Sequence, residues 1–131
     1  MPSVLIEVRK DYSKEEGVKI IDAIHSALQT AFKILPSDKV VRLVSHSPDK
    51  FACPTNLTKP EYYTYINIDA YSGRSVDAKR SLFKSIVDNL EPLGIPKDHV
   101  LILLREASPE NWGIEGGQVA SEVELGYKIN V

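Results

Sequence analysis

The feature that most constrains the fold is an internal repeat. The segment L-P-S-D-K-V at 35–40 recurs as I-P-K-D-H-V at 95–100, and each copy follows an apolar helical pattern and precedes an apolar run. The pattern of each half therefore predicts a strand, a helix and a second strand, in that order. Because such crossovers are right-handed and join parallel strands, we expect an α+β protein. It should contain duplicated β-α-β units, with one four-stranded sheet and two helices on one face.

The length and composition are those of one domain. The chain has 131 residues, of which 43% are hydrophobic, enough for a single core. We expect one domain over 1–131, with halves at about 1–47 and 61–106 and a C-terminal tail. The segment rich in Pro, Ser, Thr and Asn that joins the halves predicts a loop.

Periodicity places the elements within these halves. Strands are predicted at 3–8, 39–46, 62–71 and 99–107, the last a continuous apolar run typical of a central strand. Helices are predicted at 11–33 and 75–94. Ser13, with Glu16 three residues later, has the spacing of a capping box, and Ser75 is placed to cap the second helix. The first and third strands carry apolar or aromatic residues on both sides, so we expect another copy of the chain to cover the open face of the sheet.

Composition excludes several classes of function. The formal charge is −2 and no basic run is present, so neither nucleic acid nor an anionic membrane is an expected partner. The single cysteine, Cys53, cannot form an internal disulfide and fits a reducing compartment. Without a basic-then-apolar leader or a long apolar stretch, the protein is expected to be soluble and cytoplasmic.

Pro2 has two interpretations. Proline is tolerated at the first position of a strand, where its missing N–H costs nothing. If Met1 is removed, however, Pro2 carries a free secondary amine. An α-amino group titrates near about 7.7–8.0, and burial or nearby positive charge lowers that pKa. Such an amine could serve as a base at neutral pH, and its position alone does not choose between the two.

Three further residues are candidates for a site. Arg74, in YSGRS, lies at the start of the second helix, where its guanidinium could hold a carboxylate or simply be a solvated turn arginine. Asp38 is a turn residue, and its counterpart Asp98 in the repeat supports a structural role for at least one of them. His25 flanks the first helix and is expected to be structural. The three histidines lack metal-ligand spacing, so no metal site is expected.

Four segments together carry a family resemblance. MPSVLIEV, HSALQTAFKILPSDK, YSGRSVDAKRSLFKSIV and ENWGIEGG, in this order on a duplicated chain, resemble the tautomerase superfamily, most closely the longer fused members related to malonate semialdehyde decarboxylase. The resemblance implies that Met1 is removed and that Pro2 is the catalytic acid and base. It also implies catalytic roles for Asp38 and Arg74, and a wall for the substrate pocket formed by Trp112.

The resemblance further implies a function and an assembly. It implies a cofactor-independent keto–enol tautomerase for small anionic carboxylates, assembled as a homotrimer with the sheets facing inward. The decarboxylase uses two arginines that flank a single residue. Here the first of those positions is Ser72, a substrate-binding candidate, and Glu115 stands where a basic residue is expected. Decarboxylase or hydratase activity, and a non-catalytic domain that binds a small ligand, remain the alternatives.

Overall fold

The computed structural model describes residues 2–131. Its main elements are β1 (Ser3–Val8), α1 (Lys14–Phe32), β2 (Val40–Ser45), β3 (Thr64–Tyr71), α2 (Val76–Leu90), β4 (Val100–Ala107), β5 (Gly113–Ile114) and β6 (Gln118–Val119). All four predicted strands and both predicted helices are present. Helix α1 begins at Lys14, three residues later than its pattern indicated, because Ser13 caps it.

The sheet joins the two predicted β-α-β units side by side. Its strand order is β2-β1-β3-β4, with β1 parallel to β2, β3 parallel to β4, and β1 antiparallel to β3. Alternate strand residues and one stripe of each helix form a single buried cluster, which includes Val4, Ile6, Ile66, Ile68, Ile24, Leu28, Leu82 and Ile86. Both helices therefore cover the same face of the sheet, as the repeat predicted.

Both predicted helix caps are confirmed. The Ser13 backbone N–H donates to the Glu16 carboxylate at 3.1 Å, and Ser13 Oγ accepts from the Glu16 N–H at 3.2 Å. Ser75 Oγ accepts from the Ala78 N–H at 3.0 Å. Caps of this kind contribute about 1 kcal/mol each, and the second one fixes the start of α2 directly after Arg74.

The expectation that the fourth strand is central was wrong. Strand β4 is an edge strand, and its apolar run is continuous because both of its faces are apolar. Val100, Ile102 and Leu104 pack against the core. Leu101 and Leu103, on the open face, are 49% and 40% exposed. A continuous apolar run is found in a strand whose two faces are both covered, whether the second face packs against a helix of the same chain or against another protein surface. The run therefore could not distinguish a central strand from an edge strand.

The C-terminal tail returns to the beginning of α2. After the short β5–β6 hairpin, the chain runs back until the Val131 carbonyl accepts the Ser75 N–H at 3.0 Å. Gly73 has a φ of +129°, and a Cβ there would lie 2.7 Å from Asn130 Oδ1. The turn before α2 is thus shaped to receive the tail. None of the helices within residues 2–131 is long and apolar enough to cross a membrane.

Candidate active site

The strand topology brings the candidate residues to one end of the sheet. Ser3 is paired with Val40 of β2 and with Asp69 of β3. This end therefore holds the beginnings of β1 and β2 and the end of β3. Buried Pro2 directly precedes β1. Asp38 lies two residues before β2, and Arg74 three residues after β3, so the chain order alone places these three near one another.

At this end of the sheet, Arg74 is the buried residue with the most hydrogen-bond donor atoms left unpaired within residues 2–131. It is only 6% exposed, and its Nη1 donates to the Tyr71 carbonyl oxygen at 3.0 Å. The guanidinium carbon lies 4.6 Å from the centre of the Phe32 ring. Nε and Nη2 are buried without a hydrogen-bond partner among residues 2–131. Because burying unmatched donors of a cation is costly, the arrangement favours an anion that accepts from both nitrogens.

The pKa of Arg74 reflects this environment. Burial lowers it, while the Tyr127 phenol, which also hydrogen-bonds the guanidinium, raises it, as do Glu106 and Tyr71. Tyr127 belongs to the returning tail. Burial and the charge of Asp38 raise the pKa of its own phenol, and Arg74 opposes them. Asp38, Arg74 and Tyr127 thus form one electrostatic cluster.

The turn that carries Asp38 is held from two sides. The Asp38 N–H donates to the Leu35 carbonyl at 3.0 Å. His25, buried on α1, has its Nε2 3.0 Å from the Pro36 carbonyl, which can only accept, so this nitrogen carries the proton. The placement agrees with the structural role expected for His25: it fixes the turn from which the half-buried Asp38 projects.

The β5–β6 hairpin forms the opposite wall. The ring of Trp112 meets Tyr71 edge-on, with centroids 5.1 Å apart, and its Nε1 is buried without a partner among residues 2–131. Glu115 occupies the hairpin turn with a φ of +48°, a left-handed conformation uncommon for glutamate. The Gln118 side-chain amide donates to its carbonyl at 2.8 Å, which holds the turn in that shape.

Between these walls lies a cavity of about 190 Å³. It is lined by Leu35, Ser37, Asp38, Tyr71, Ile114, Glu115 and Leu125. Ligand pockets in proteins typically measure about 300–1,000 Å³, so this one suits a molecule of a few carbon atoms. Its lining combines apolar side chains with two carboxylates and two hydroxyls, and Arg74 and Trp112 contact Tyr71, one of the lining residues.

A model of the family described as "Tautomerase enzyme" matches residues 38–115, more than half of the chain. The chain belongs to the tautomerase superfamily. A malonate semialdehyde decarboxylase inhibited by 3-bromopropiolate is 26% identical, with a TM-score of 0.81 over 89% of this chain and 92% of that one. The resemblance seen in the sequence is thereby confirmed.

Two more distant structures show how widely this tautomerase fold is shared. A fused 4-OT solved as an asymmetric trimer is 15% identical, with a TM-score of 0.81 over 95% of this chain and 99% of that one. A member of the cis-3-chloroacrylic acid dehalogenase family is 21% identical, with a TM-score of 0.78 over 95% and 85% of the two chains. At these identities the likeness concerns the fold.

Of the site residues expected from the sequence, Asp38 is the one that lines this cavity. Ser72, a substrate-binding candidate, is exposed at the bend after β3, where its N–H donates to the Ala107 carbonyl at 3.0 Å, and like Pro2, Arg74 and Trp112 it is not among the residues that line the cavity. The sequence did not single out Tyr71 and Tyr127. The sequence could have identified Tyr71 as a site residue, because it is the last aromatic residue of a strand that ends at the Arg74 turn. It could not have identified Tyr127, because the position of that residue depends on the path of the tail.

Proposed function

We propose that this protein is a cofactor-independent isomerase, a keto–enol tautomerase of small 2-oxo and 2-hydroxy carboxylic acids. The observation that carries the proposal is the buried Arg74 guanidinium, which Tyr127 contacts but whose Nε and Nη2 have no hydrogen-bond partner within residues 2–131. Its Nη1 donates to the carbonyl of Tyr71, a residue that lines the small cavity at the end of the sheet where Pro2 lies. A carboxylate would accept from both nitrogens in the bidentate geometry that arginine favours.

Pro2 is the proposed acid and base. With Met1 removed, its neutral amine takes the proton from the enol hydroxyl as the C=O bond forms. The resulting ammonium then gives a proton to C3, so that no proton is gained or lost overall. The positive charge of Arg74 at the same end of the sheet lowers the pKa of the amine and favours the neutral base. Acid–base catalysis of this kind supplies about 10²–10⁴-fold.

The remaining candidates have supporting roles in this proposal. Asp38 orients the substrate or a water molecule from its turn. Trp112 walls the pocket and excludes solvent, which strengthens the interactions with Arg74. Ser72, exposed on the rim, contributes at most a contact to the outer part of a longer substrate.

The proposed assembly is a homotrimer in the cytoplasm. The apolar side chains Val40, Val44, Leu101 and Leu103 are exposed on the open face of the sheet, and such a patch favours a protein interface. Several fused 4-OT relatives were solved as trimers. Sedimentation equilibrium is expected to give three times the 14.6 kDa chain mass, and a monomer would contradict the assembly.

The deciding experiment joins two measurements on the purified protein. Intact mass should show the loss of Met1, and a spectrophotometric assay should show ketonisation of phenylenolpyruvate. The rate should rise with pH through the pKa of the Pro2 amine, because only the neutral amine accepts a proton. Protein that retains Met1, or processed protein with no rate above the uncatalysed one, would rule the proposal out.

A second candidate is decarboxylation of a 3-oxo acid, favoured by the 26% identity to a malonate semialdehyde decarboxylase. Ser72 argues against it, since it occupies the first of the two arginine positions in the decarboxylase pattern. Release of carbon dioxide from malonate semialdehyde at a rate above that of phenylenolpyruvate ketonisation would reverse this order of preference.

A further inference from the structure

The side chain of Tyr71 is fully buried, yet its hydroxyl has no partner among residues 2–131. A buried hydroxyl without a partner destabilises the fold, so phenylalanine would be favoured at a position that only fills the core. Tyr71 forms part of the wall of the 190 Å³ cavity, next to Asp38 and Glu115. Tyr71 thus brings to the cavity wall a buried hydroxyl that makes no hydrogen bond within residues 2–131.

We infer that Tyr71 is a further catalytic residue, whose hydroxyl donates a hydrogen bond to the C2 oxygen of the substrate while Arg74 holds the carboxylate. The inference rests on the proposed function. One N–H of Arg74 Nη1 donates to the Tyr71 carbonyl at 3.0 Å. The Nε–H and one N–H of Nη2 match the two oxygens of a carboxylate, and the Tyr71 hydroxyl, which also has no partner among residues 2–131, supplies a further donor for the C2 oxygen.

The protonation state of Tyr71 suits a donor. Burial raises its pKa, the carboxylates of Asp38 and Glu115 raise it further, and Arg74 lowers it. Since the ordinary pKa of tyrosine is about 10, the hydroxyl keeps its proton at neutral pH. As the enol proton leaves for Pro2, negative charge grows on the C2 oxygen, and a fixed donor there stabilises that charge.

The ring is also held in place before substrate arrives. Tyr71 is the last residue of β3 and is paired with Ala107 of β4, while the Trp112 indole packs edge-on against its ring at 5.1 Å. A donor on a rigid strand that is locked by a neighbouring ring loses little freedom when it binds substrate. The same contact makes the single tryptophan of the chain a reporter of this site.

The test compares Tyr71→Phe with a matched control, Tyr63→Phe. Tyr63 is also buried, just before the opposite end of β3, and does not line the cavity. With phenylenolpyruvate, Tyr71→Phe is expected to lower kcat about 10- to 100-fold and to raise KM by about 5-fold or less, because the bond strengthens with the developing charge. Its melting temperature should not fall, since no bonded hydroxyl is lost. Tyr63→Phe should keep kcat within about twofold of wild type.

A binding experiment identifies the oxygen that the hydroxyl contacts and does not require turnover. Quenching of Trp112 fluorescence gives Kd values for pyruvate and for propionate, which lacks the C2 oxygen. Wild type should prefer pyruvate, and Tyr71→Phe should reduce that preference about 5-fold, as expected for one hydrogen bond of about 1 kcal/mol.

The outcomes separate the inference from the proposed function. A wild-type protein without turnover defeats the proposed function, and the pyruvate-to-propionate ratio still decides the role of Tyr71. If Tyr71→Phe keeps the wild-type rate and ratio, or loses rate with the ratio unchanged, the assignment to the C2 oxygen is overturned. A melting temperature lowered by several degrees would also overturn it, because the hydroxyl would then have a structural partner.

Discussion

Arg74 and Arg9 lie at opposite ends of the sheet and differ in how many of their donors the protein itself uses. Arg9 follows β1, and its Nε, Nη1 and Nη2 donate to the carbonyls of Phe51, Pro60 and Pro48 at 2.6, 2.7 and 3.3 Å. Arg74 follows β3, and Nε and Nη2 have no such partner within residues 2–131. The comparison indicates that the first arginine fastens the fold and the second remains available to a ligand.

The difference arises from what covers each end. The loop at 46–63 folds over the end near Arg9 and supplies backbone carbonyls there. Lys10 also donates to the Tyr62 hydroxyl at 3.3 Å and lies over its ring. The tail covers the other end with side chains and leaves a cavity. The repeat thus produced two similar ends, and because the connecting segments differ, one end is closed by backbone hydrogen bonds to Arg9 and the other contains the cavity.

The sharpest test of this comparison is Arg74→Ala. Removal of the guanidinium leaves the substrate carboxylate without its bidentate partner, and breaking a buried ion pair costs about 3–5 kcal/mol. The expected loss is about 10³-fold in kcat/KM for phenylenolpyruvate, measured by steady-state kinetics on protein shown to be folded by circular dichroism. Arg74→Lys keeps the charge without the planar fork and should recover only part of the rate. Wild-type activity in either variant would contradict the proposed role.

Arg9→Ala should show the opposite behaviour. Three carbonyls lose a charged donor, two of them at exposed positions, so the free energy of unfolding in urea is expected to fall by about 2 kcal/mol. Activity below the melting temperature should stay within about twofold. Arg80→Ala is the control, because its pair with Asp77 is exposed on α2 and is worth little. A loss of kcat in Arg9→Ala with unchanged stability would invalidate the comparison.

The sequence predicted the parts of this comparison that follow from periodicity and topology. The repeat and the caps at Ser13 and Ser75 follow from residue spacing, and parallel β-α-β units bring Asp38 and Arg74 to one end of the sheet. The path of the tail could not be predicted, because it depends on single contacts such as that of the Ser75 N–H with the Val131 carbonyl. The edge position of β4 was missed for a different reason: an apolar face has the same pattern whatever packs on it.

Tyr12 provides a test at the structural end of the sheet. Burial, with smaller contributions from Tyr62, Glu16 and Glu61, raises its pKa to about 12. Because the folded state holds this proton more tightly than the unfolded state, its contribution to stability is complete below about pH 10. It is lost as the pH rises toward 12.

The free energy of unfolding should therefore fall by about 1 kcal/mol between pH 10 and 12, a figure reduced because Tyr12 is only half-buried. Urea titrations at pH 9, 10, 11 and 12 on wild type and Tyr12→Phe would measure it. The difference in the free energy of unfolding between the two proteins gives the contribution of Tyr12 alone, because the other tyrosines are the same in both. Parallel curves for the two proteins would show that Tyr12 does not contribute.

The smallest expected effect concerns Glu115, whose exposed carboxylate lies at the cavity on the side away from the core. With Asp38 it places two carboxylates in the lining of the cavity, so we expect a substrate with a second carboxylate to be repelled. Relative to phenylenolpyruvate, the dianion 2-hydroxymuconate should therefore gain about threefold in kcat/KM with Glu115→Gln, since a single exposed charge at short range is worth about 1 kcal/mol or less. The gain should shrink in 1 M salt, where the Debye length is about 3 Å.

The control is Glu110→Gln, which lies after β4 but outside the cavity lining and should leave the ratio of kcat/KM for the two substrates unchanged. An equal gain in both variants would trace the effect to net charge and remove Glu115 from substrate selection.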